Sequence, residues 1–131
     1  MGTKVYLGVS VLIWFGYGLA CFVNPSIIES TAGLRIDSAV ARTEVRAMYG
    51  GLQMAIGVMA LAALFNPRFV QPTLFSVAFL VTGLAASRLL GALIDTSFAQ
   101  YTYGAVVFEF VAAGCAIVLL RRAAAESPAA S

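Results

Sequence analysis

The chain has 131 residues, of which 61% are hydrophobic and 11% are charged, and its formal net charge is +2. About a quarter of the residues in a soluble domain are charged, so this composition excludes an ordinary soluble domain. It also excludes a nucleic-acid-binding surface, because the basic residues do not cluster among aromatic residues. Histidine is absent, which removes the usual ligand of haem, zinc and copper. We therefore predict no metal site and no cofactor.

The hydrophobic residues form four long runs, each near the ~20 residues that a helix needs to cross a hydrocarbon core about 30 Å thick. A segment within lipid must satisfy its own backbone hydrogen bonds. The sequence therefore predicts an all-α fold, an integral membrane four-helix bundle with short connections and one longer loop between helices 1 and 2. The bundle forms a single domain over residues 1–122, and a polar tail at 123–131 is predicted to be disordered. The predicted spans are residues 5–23, 45–65, 69–94 and 101–121.

Four spans place both termini on the same side of the membrane. The basic residues favour that side by four to three: Lys4, Arg68, Arg121 and Arg122 against Arg35, Arg42 and Arg46. Because basic residues concentrate on the cytoplasmic side, we predict a multi-pass protein of the cell inner membrane with both termini in the cytoplasm. The first span is predicted to be retained, since no A-x-A cleavage site follows it.

The connection between the first two spans, residues 24–43, is the only long loop that the sequence predicts. Ser26 and Glu29 have the spacing of a capping box, which predicts a short interfacial helix. Asp37 or Ser38 is predicted to cap the helix that enters the second span. A loop of this length could cover a site as a lid or could be an inert connector.

Two charged residues lie inside predicted spans, Arg88 in the third and Glu109 in the fourth. A charge at the centre of a membrane helix costs about 2.5–3.5 kcal/mol on insertion scales. Such residues tend to face the protein interior and to pair with one another. We therefore predict that Arg88 and Glu109 form a bidentate ion pair.

Further polar residues are predicted near the depth of this pair. At a rise of 1.5 Å per residue, Arg88 lies about 10 Å below Asp95 at the end of the third span. Gln53 lies at a similar depth in the second span, on the same helix face as Arg46 and Tyr49. The sequence therefore predicts one polar site in the non-cytoplasmic half of the bundle, with six candidate ligand-binding residues: Arg46, Tyr49, Gln53, Arg88, Asp95 and Glu109.

This polar site has two main interpretations. It is a structural ion pair that fixes the helix register, or it holds a small anionic or carbonyl-bearing ligand or the helix of a membrane protein partner. The second interpretation predicts a small binding or accessory protein in the lipid bilayer. The alternative is a small transporter or membrane enzyme that exchanges protons through Asp95 and Glu109, or a purely structural membrane subunit. Enzymatic activity is not favoured, and no catalytic residue is assigned.

Small residues at four-residue spacing predict faces for close helix packing. One ladder in the second span contains Ala47, Gly51 and Ala55, and another in the third contains Gly83, Ser87 and Gly91. The fourth span carries Glu109 within a stripe of alanines. Such faces serve contacts within one bundle or between copies of the chain, so the sequence does not decide between a monomer and a homo-oligomer.

Glu44, Arg46, Tyr49 and the pair Gly50-Gly51 have the spacing E-x-R-x-x-Y-G-G. This segment resembles the signature of a bacterial four-helix membrane family, domain-of-unknown-function family 4345, which is loosely similar to DoxX-like proteins. The resemblance covers most of the chain, from the first span into the fourth, and implies a small helical bundle of the inner membrane. The DoxX-like relatives suggest an accessory or assembly role in membrane complexes, by analogy of fold.

Overall fold

The computed structural model describes residues 1–126, and within this range the chain is helical and contains no β-strand. Five helices follow one another: α1 (Gly2–Val23), the short α2 (Ile27–Ala32), α3 (Ala39–Phe65), α4 (Val70–Ile94) and α5 (Gln100–Glu126). All except α2 are long and apolar enough to cross a membrane. The predicted all-α fold class with four spans is confirmed, and the chain is a multi-pass membrane protein.

The helix α3 begins at Ala39 rather than at residue 45. Its start is fixed by Ser38, whose hydroxyl oxygen accepts a hydrogen bond from the backbone N–H of Ala41 at 3.0 Å. Such a cap satisfies one of the backbone donors that have no partner in the first turn of a helix. Of the two caps that the sequence predicts, Ser38 is the one that the structure uses.

The helix α5 ends later than predicted, because it continues through residues 123–126 to Glu126. The prediction of a disordered tail is wrong for these four residues. Alanine has the highest helix propensity, and the Ala123 carbonyl oxygen accepts a hydrogen bond from Gln71 Nε2 at 3.1 Å. The rest of the predicted tail, residues 127–131, lies outside the described part of the chain.

Both α1 and α3 end at an Asn-Pro pair. Asn24 and Asn66 leave the helical conformation with φ of −125° and −133°, because the residue before a proline is disfavoured in the α region. The Asn24 Oδ1 atom accepts a hydrogen bond from the Ser26 N–H at 3.3 Å, and Asn66 Oδ1 accepts one from the Arg68 N–H at 3.2 Å. The same asparagine-stabilised turn therefore terminates both helices.

The helices group into two compact units, Met1–Phe69 and the chain from Val70 onwards. In the first unit, α1 and α3 pack antiparallel with their backbones in contact. A Cβ atom on Gly57 would lie 2.6 Å from both the backbone N and the Cβ of Phe15. A Cβ atom on Gly50 would lie 2.9 Å from the Cβ of Phe22. Glycine at these positions therefore allows the two helices to approach this closely.

Each of these two helices contains one π-helical turn, Val11–Phe15 in α1 and Arg46–Gly51 in α3. A π turn widens the helix by one residue and is frequent at functional sites. Both turns contribute to the α1–α3 contact, since Phe15 ends the first and Gly50 lies in the second. The two irregular turns thus belong to the packing of this helical hairpin.

The packing face of α3 differs from the predicted ladder of Ala47, Gly51 and Ala55. Ala47 and Ala55 are exposed, whereas Gly50 and Gly57 are buried against α1. The prediction is wrong because the face that meets α1 runs through Gly50 and Gly57, which lie seven residues apart and off the predicted ladder.

The long loop packs against the ends of α1 and α3 within the first unit. Ile28 of α2 is fully buried and clusters with Cys21 of α1 and Val45 of α3. Tyr49 and Ile36 pack against the same cluster. The loop therefore has a small hydrophobic core that is shared with the hairpin.

The short helix that the sequence predicts in this loop is present as α2, but the predicted capping box is wrong. The Ser26 side chain makes no capping hydrogen bond. The Glu29 Oε1 atom instead accepts a hydrogen bond from the backbone N–H of Ile36 at 3.0 Å. Glu29 therefore closes the loop onto the segment that follows α2, and Gly33 at φ +69° ends the helix in the left-handed conformation.

In the second unit, α4 and α5 form an antiparallel hairpin. The turn between them is tight, with the Ser97 N–H donating to the Ala92 carbonyl oxygen at 3.0 Å. Thr96 has a positive φ of 49°, so it occupies the left-handed position that ends α4. The alanine stripe predicted on the last helix is confirmed, since Ala113 and Ala116 are buried on the same face as Glu109.

The second predicted ladder, on α4, is not a packing face among the described residues. Gly83 and Ser87 are exposed, and a Cβ atom on Gly83 or Gly91 would meet nothing within 4 Å. The buried face of α4 runs through Ala85 and Ala92 instead. A role for the ladder between copies of the chain stays a prediction.

Candidate functional site

The predicted ion pair between Arg88 of α4 and Glu109 of α5 is present. Arg88 Nη2 donates to Glu109 Oε1 at 2.8 Å, and Arg88 Nε donates to Oε1 and Oε2 at 3.1 Å each. The Glu109 side chain is 5% exposed and the Arg88 side chain is 22% exposed. The Glu109 side chain is therefore enclosed, while part of the Arg88 side chain reaches the protein surface.

The antiparallel hairpin explains why these two side chains meet. Arg88 lies six residues before the end of α4 and Glu109 lies nine residues after the start of α5, roughly 9 Å and 14 Å along the two helices. Side chains lean toward the N-terminus of their helix. Arg88 thus leans away from the connecting turn and Glu109 leans toward it. This opposite tilt closes the offset between their Cα atoms.

Tyr101, in the first turn of α5, also lies close to the guanidinium. The Arg88 Cζ atom lies 5.8 Å from the centroid of the Tyr101 ring. At this distance the negative face of an aromatic ring attracts a cation. Arg88 is therefore held by a carboxylate and an aromatic ring of the same helix.

The sequence predicts Asp95 at the end of the third span, which is α4 in the structure. It lies one residue beyond the end of that helix, with an exposed side chain. Its backbone N–H donates to the Gly91 carbonyl oxygen at 2.9 Å. The structure therefore places Asp95 at the turn, at the mouth of the hairpin rather than in contact with the ion pair.

Arg46 and Tyr49 have contacts of their own within the first unit. Arg46 Nε donates to the Phe22 carbonyl oxygen at 3.0 Å, so the guanidinium caps the C-terminal end of α1. Tyr49 packs against the cluster of Cys21, Ile28 and Val45. Both residues, which belong to the E-x-R-x-x-Y-G-G segment, thus take part in joining α1, α3 and the loop.

Gln53 is half-buried on α3, between the two glycines that contact α1. Of the six predicted site residues, the structure brings Arg88 and Glu109 together. Convergence of Gln53, Arg46 and Tyr49 on that pair stays a prediction.

Sequence reasoning missed two partners in these sites. One is Tyr101, whose place in the first turn of α5 puts its ring within reach of the Arg88 side chain from α4. The partner of Arg46 is a main-chain carbonyl 24 residues earlier in the chain. No sequence signal marks a backbone acceptor, so only the packed hairpin reveals it.

The chemistry of the Arg88 site follows from its geometry. Glu109 neutralises the guanidinium, fixes its plane and is itself shielded from solvent. A molecule that reaches the pair therefore meets the more exposed arginine side chain rather than the buried carboxylate. Such an arrangement suits a hydrogen-bond acceptor on a ligand.

Comparison with known proteins gives a family and no further relative. No curated protein and no solved structure matches the chain. The model of one protein family, described as domain of unknown function DUF4345, matches residues 2–120, a range that includes all six predicted site residues. The chain is a member of the DUF4345 family.

Proposed function

We propose that this protein is a small binding or accessory protein of the inner membrane, with both termini in the cytoplasm. Its Arg88 guanidinium, oriented by Glu109, donates hydrogen bonds to a small ligand or to a polar group on a partner helix. The observation that supports this proposal is the unequal exposure of the pair, 22% for Arg88 and 5% for Glu109. A pair with a purely structural role has no need of a partly exposed arginine.

The charge of the pair favours a carbonyl-bearing ligand over an anionic one. Arg88 and Glu109 together carry no net charge. A neutral hydrogen-bond acceptor keeps the site uncharged, which is favourable because a net charge in an apolar environment costs free energy. An anion would leave one negative charge uncompensated. Gln53 and Asp95 are kept in the proposal as further ligand-binding residues on the basis of their predicted depth.

The exchange of the two charges separates a binding role from a structural one. The double substitution Arg88→Glu with Glu109→Arg keeps an ion pair but moves the guanidinium to position 109, where the side chain is enclosed. A structural pair would keep all its properties after this exchange. A binding site would keep much of its stability and lose its ligand.

The probe is 2-undecanone, a neutral ketone that partitions into detergent micelles, with sodium decanoate and undecane as comparisons. Binding is measured by infrared spectroscopy, because a hydrogen bond to the ketone lowers the frequency of its carbonyl stretching band. We expect a saturable shifted band with the wild-type protein and with Ser87→Ala, an exposed neighbour on α4. We expect the shifted band to be lost in the charge-exchanged variant.

Two results would contradict the proposal. One is that neither the ketone nor the carboxylate gives a saturable shifted band with the wild-type protein. The other is an identical band in the exchanged variant, which would show that Arg88 is not the donor. A structural role then has the better support, because the enclosed Glu109 accepts hydrogen bonds at both carboxylate oxygens. The same double acceptance disfavours proton exchange through Glu109.

A further inference from the structure

A second basic site lies in the first unit, where Arg46 joins the end of α1 to the π turn of α3. The last four carbonyl groups of a helix have no partner within the helix, and the C-terminal end carries a partial negative charge. Arg46 Nε donates to one of these groups, the Phe22 carbonyl oxygen, at 3.0 Å. This bond holds the guanidinium in a fixed position at the junction of the two helices.

The other side of this guanidinium has no partner among residues 1–126. Within residues 1–126, the Arg46 side chain donates to the Phe22 carbonyl alone and forms no ion pair with a described carboxylate. The Nη1 and Nη2 atoms together form the edge that binds two oxygens of a phosphate or carboxylate. Arg46 thus presents this edge with a charge that no described residue neutralises.

Helix length places Arg46 at the level of the lipid headgroups. From Arg46 to Phe65, the last residue of α3, the helix advances 19 residues, or about 29 Å. This length matches a hydrocarbon core about 30 Å thick. When α3 crosses the membrane, Arg46 lies at one boundary of the core, where lipid phosphates are found.

The neighbours of Arg46 fit a lipid rather than a free anion. Arg42 lies one helical turn earlier on the same face and is exposed, so it adds a second cation on the side toward water. Phe22 and Val23, beside the capped carbonyl, have exposed fractions of 45% and 69%. Neither Glu29 nor Glu44 forms an ion pair with Arg46. Glu29 accepts a hydrogen bond from the Ile36 N–H, and Glu44 is two residues from Arg46, on a different helix face. Cations on the water side and exposed apolar side chains below them match the two parts of a phospholipid.

We propose that Arg46 and Arg42 bind the phosphate of an anionic phospholipid, with the guanidinium edge of Arg46 as the main contact. The charge of such a lipid supplies the counter-ion that the described residues do not provide. This site uses other residues than the proposed Arg88 site, so either proposal can fail without the other.

The test measures lipid binding to the purified full-length protein in detergent by native mass spectrometry. The probes are dioleoyl phosphatidylglycerol, dioleoyl phosphatidylcholine, and inorganic phosphate as a competitor. We expect phosphatidylglycerol to bind more tightly than phosphatidylcholine. We also expect Arg46→Gln to weaken its binding about tenfold or more, because one charge-assisted bidentate contact is lost.

Two further substitutions keep the test independent of folding. Arg42→Gln leaves the cap on α1 intact, and we expect it to weaken phosphatidylglycerol binding about threefold, as one exposed charge is removed. Arg121→Gln makes the same change of charge on α5, and we expect no effect on the occupancy of this site. Circular dichroism checks that each variant keeps its helix content.

Three outcomes would overturn the proposal. Equal binding of the two lipids would remove the preference for an anionic headgroup. Binding unchanged by both Arg46→Gln and Arg42→Gln would place the lipid elsewhere. Displacement of the lipid by millimolar inorganic phosphate would identify a site for free phosphate rather than for a phospholipid.

Discussion

The Glu109 side chain is more deeply buried than the Arg88 side chain that it binds, with exposed fractions of 5% and 22%. This inequality predicts unequal effects when either partner is removed. Arg88→Ala strands the buried carboxylate and should lower the free energy of unfolding by about 3 kcal/mol or more, the range for a broken buried pair. Glu109→Ala strands the partly exposed guanidinium and should cost less. Unfolding in detergent, followed by circular dichroism, measures both.

Arg121→Ala is the matched control for this comparison, since it removes an exposed arginine near the end of α5. Surface substitutions of this kind change stability by about 0.5 kcal/mol or less. If Arg88→Ala were no more harmful than Arg121→Ala, the ion pair would have no role in stability.

Tyr101 is predicted to stabilise the Arg88 guanidinium through its ring. Tyr101→Phe keeps the ring and should be near neutral, while Tyr101→Leu should cost about 0.5–2 kcal/mol. A double-mutant cycle with Arg88→Ala measures the coupling directly. Tyr103→Leu is the control, because Tyr103 lies against Phe98, at 5.5 Å between ring centroids. Equal coupling of Tyr101 and Tyr103 to Arg88 would contradict the assignment.

Gly57→Ala should separate α1 from α3. The added Cβ would lie 2.6 Å from the Phe15 backbone, so the helices must shift, and overpacking of this kind costs about 1–3 kcal/mol. Gly83→Ala is the opposite case, because its Cβ would meet nothing within 4 Å. That variant should gain up to about 1 kcal/mol from helix propensity. Thermal unfolding measures the Tm of both variants. A Tm that shifts in the same direction from wild type in both would contradict this prediction.

The start of α3 provides a test of helix capping. Ser38→Ala should lower stability by about 1 kcal/mol, because the Ala41 N–H loses its acceptor. Asp37→Ala, at the adjacent position, should have a smaller effect, since the structure does not use Asp37 as the cap. Denaturant titration of the two variants decides between the two caps that the sequence predicts, and a larger loss for Asp37→Ala would reverse the choice.

Ile28 is predicted to hold the long loop against the hairpin. Ile28→Ala removes a fully buried side chain and should cost about 2–5 kcal/mol. Its loss should also uncover Cys21, which shares the cluster. In a Cys115→Ser background, maleimide labelling of Cys21 should be slow in the parent and faster after Ile28→Ala. Unchanged labelling would mean that the loop does not protect this thiol.

The sequence alone determined the four spans, the ends of α1 and α3, and the pairing of Arg88 with Glu109. The spans follow from the length of each apolar run, and the helix ends follow from the conformation that proline imposes on Asn24 and Asn66. The ion pair follows from the high free energy of an unpaired charge in lipid. Each of these effects acts within one helix or excludes nearly every alternative, so the residue types are sufficient to predict these features.

Only the tertiary structure decided which helix faces pack and what holds each arginine. On α3 the residue that contacts α1 is Gly50, within the π turn, rather than Gly51 of the predicted ladder. The Phe22 carbonyl that binds Arg46 and the Tyr101 ring beside Arg88 likewise become partners through helix packing. Side-chain contacts between helices are set by register and rotation, and a shift of one residue in either changes every partner.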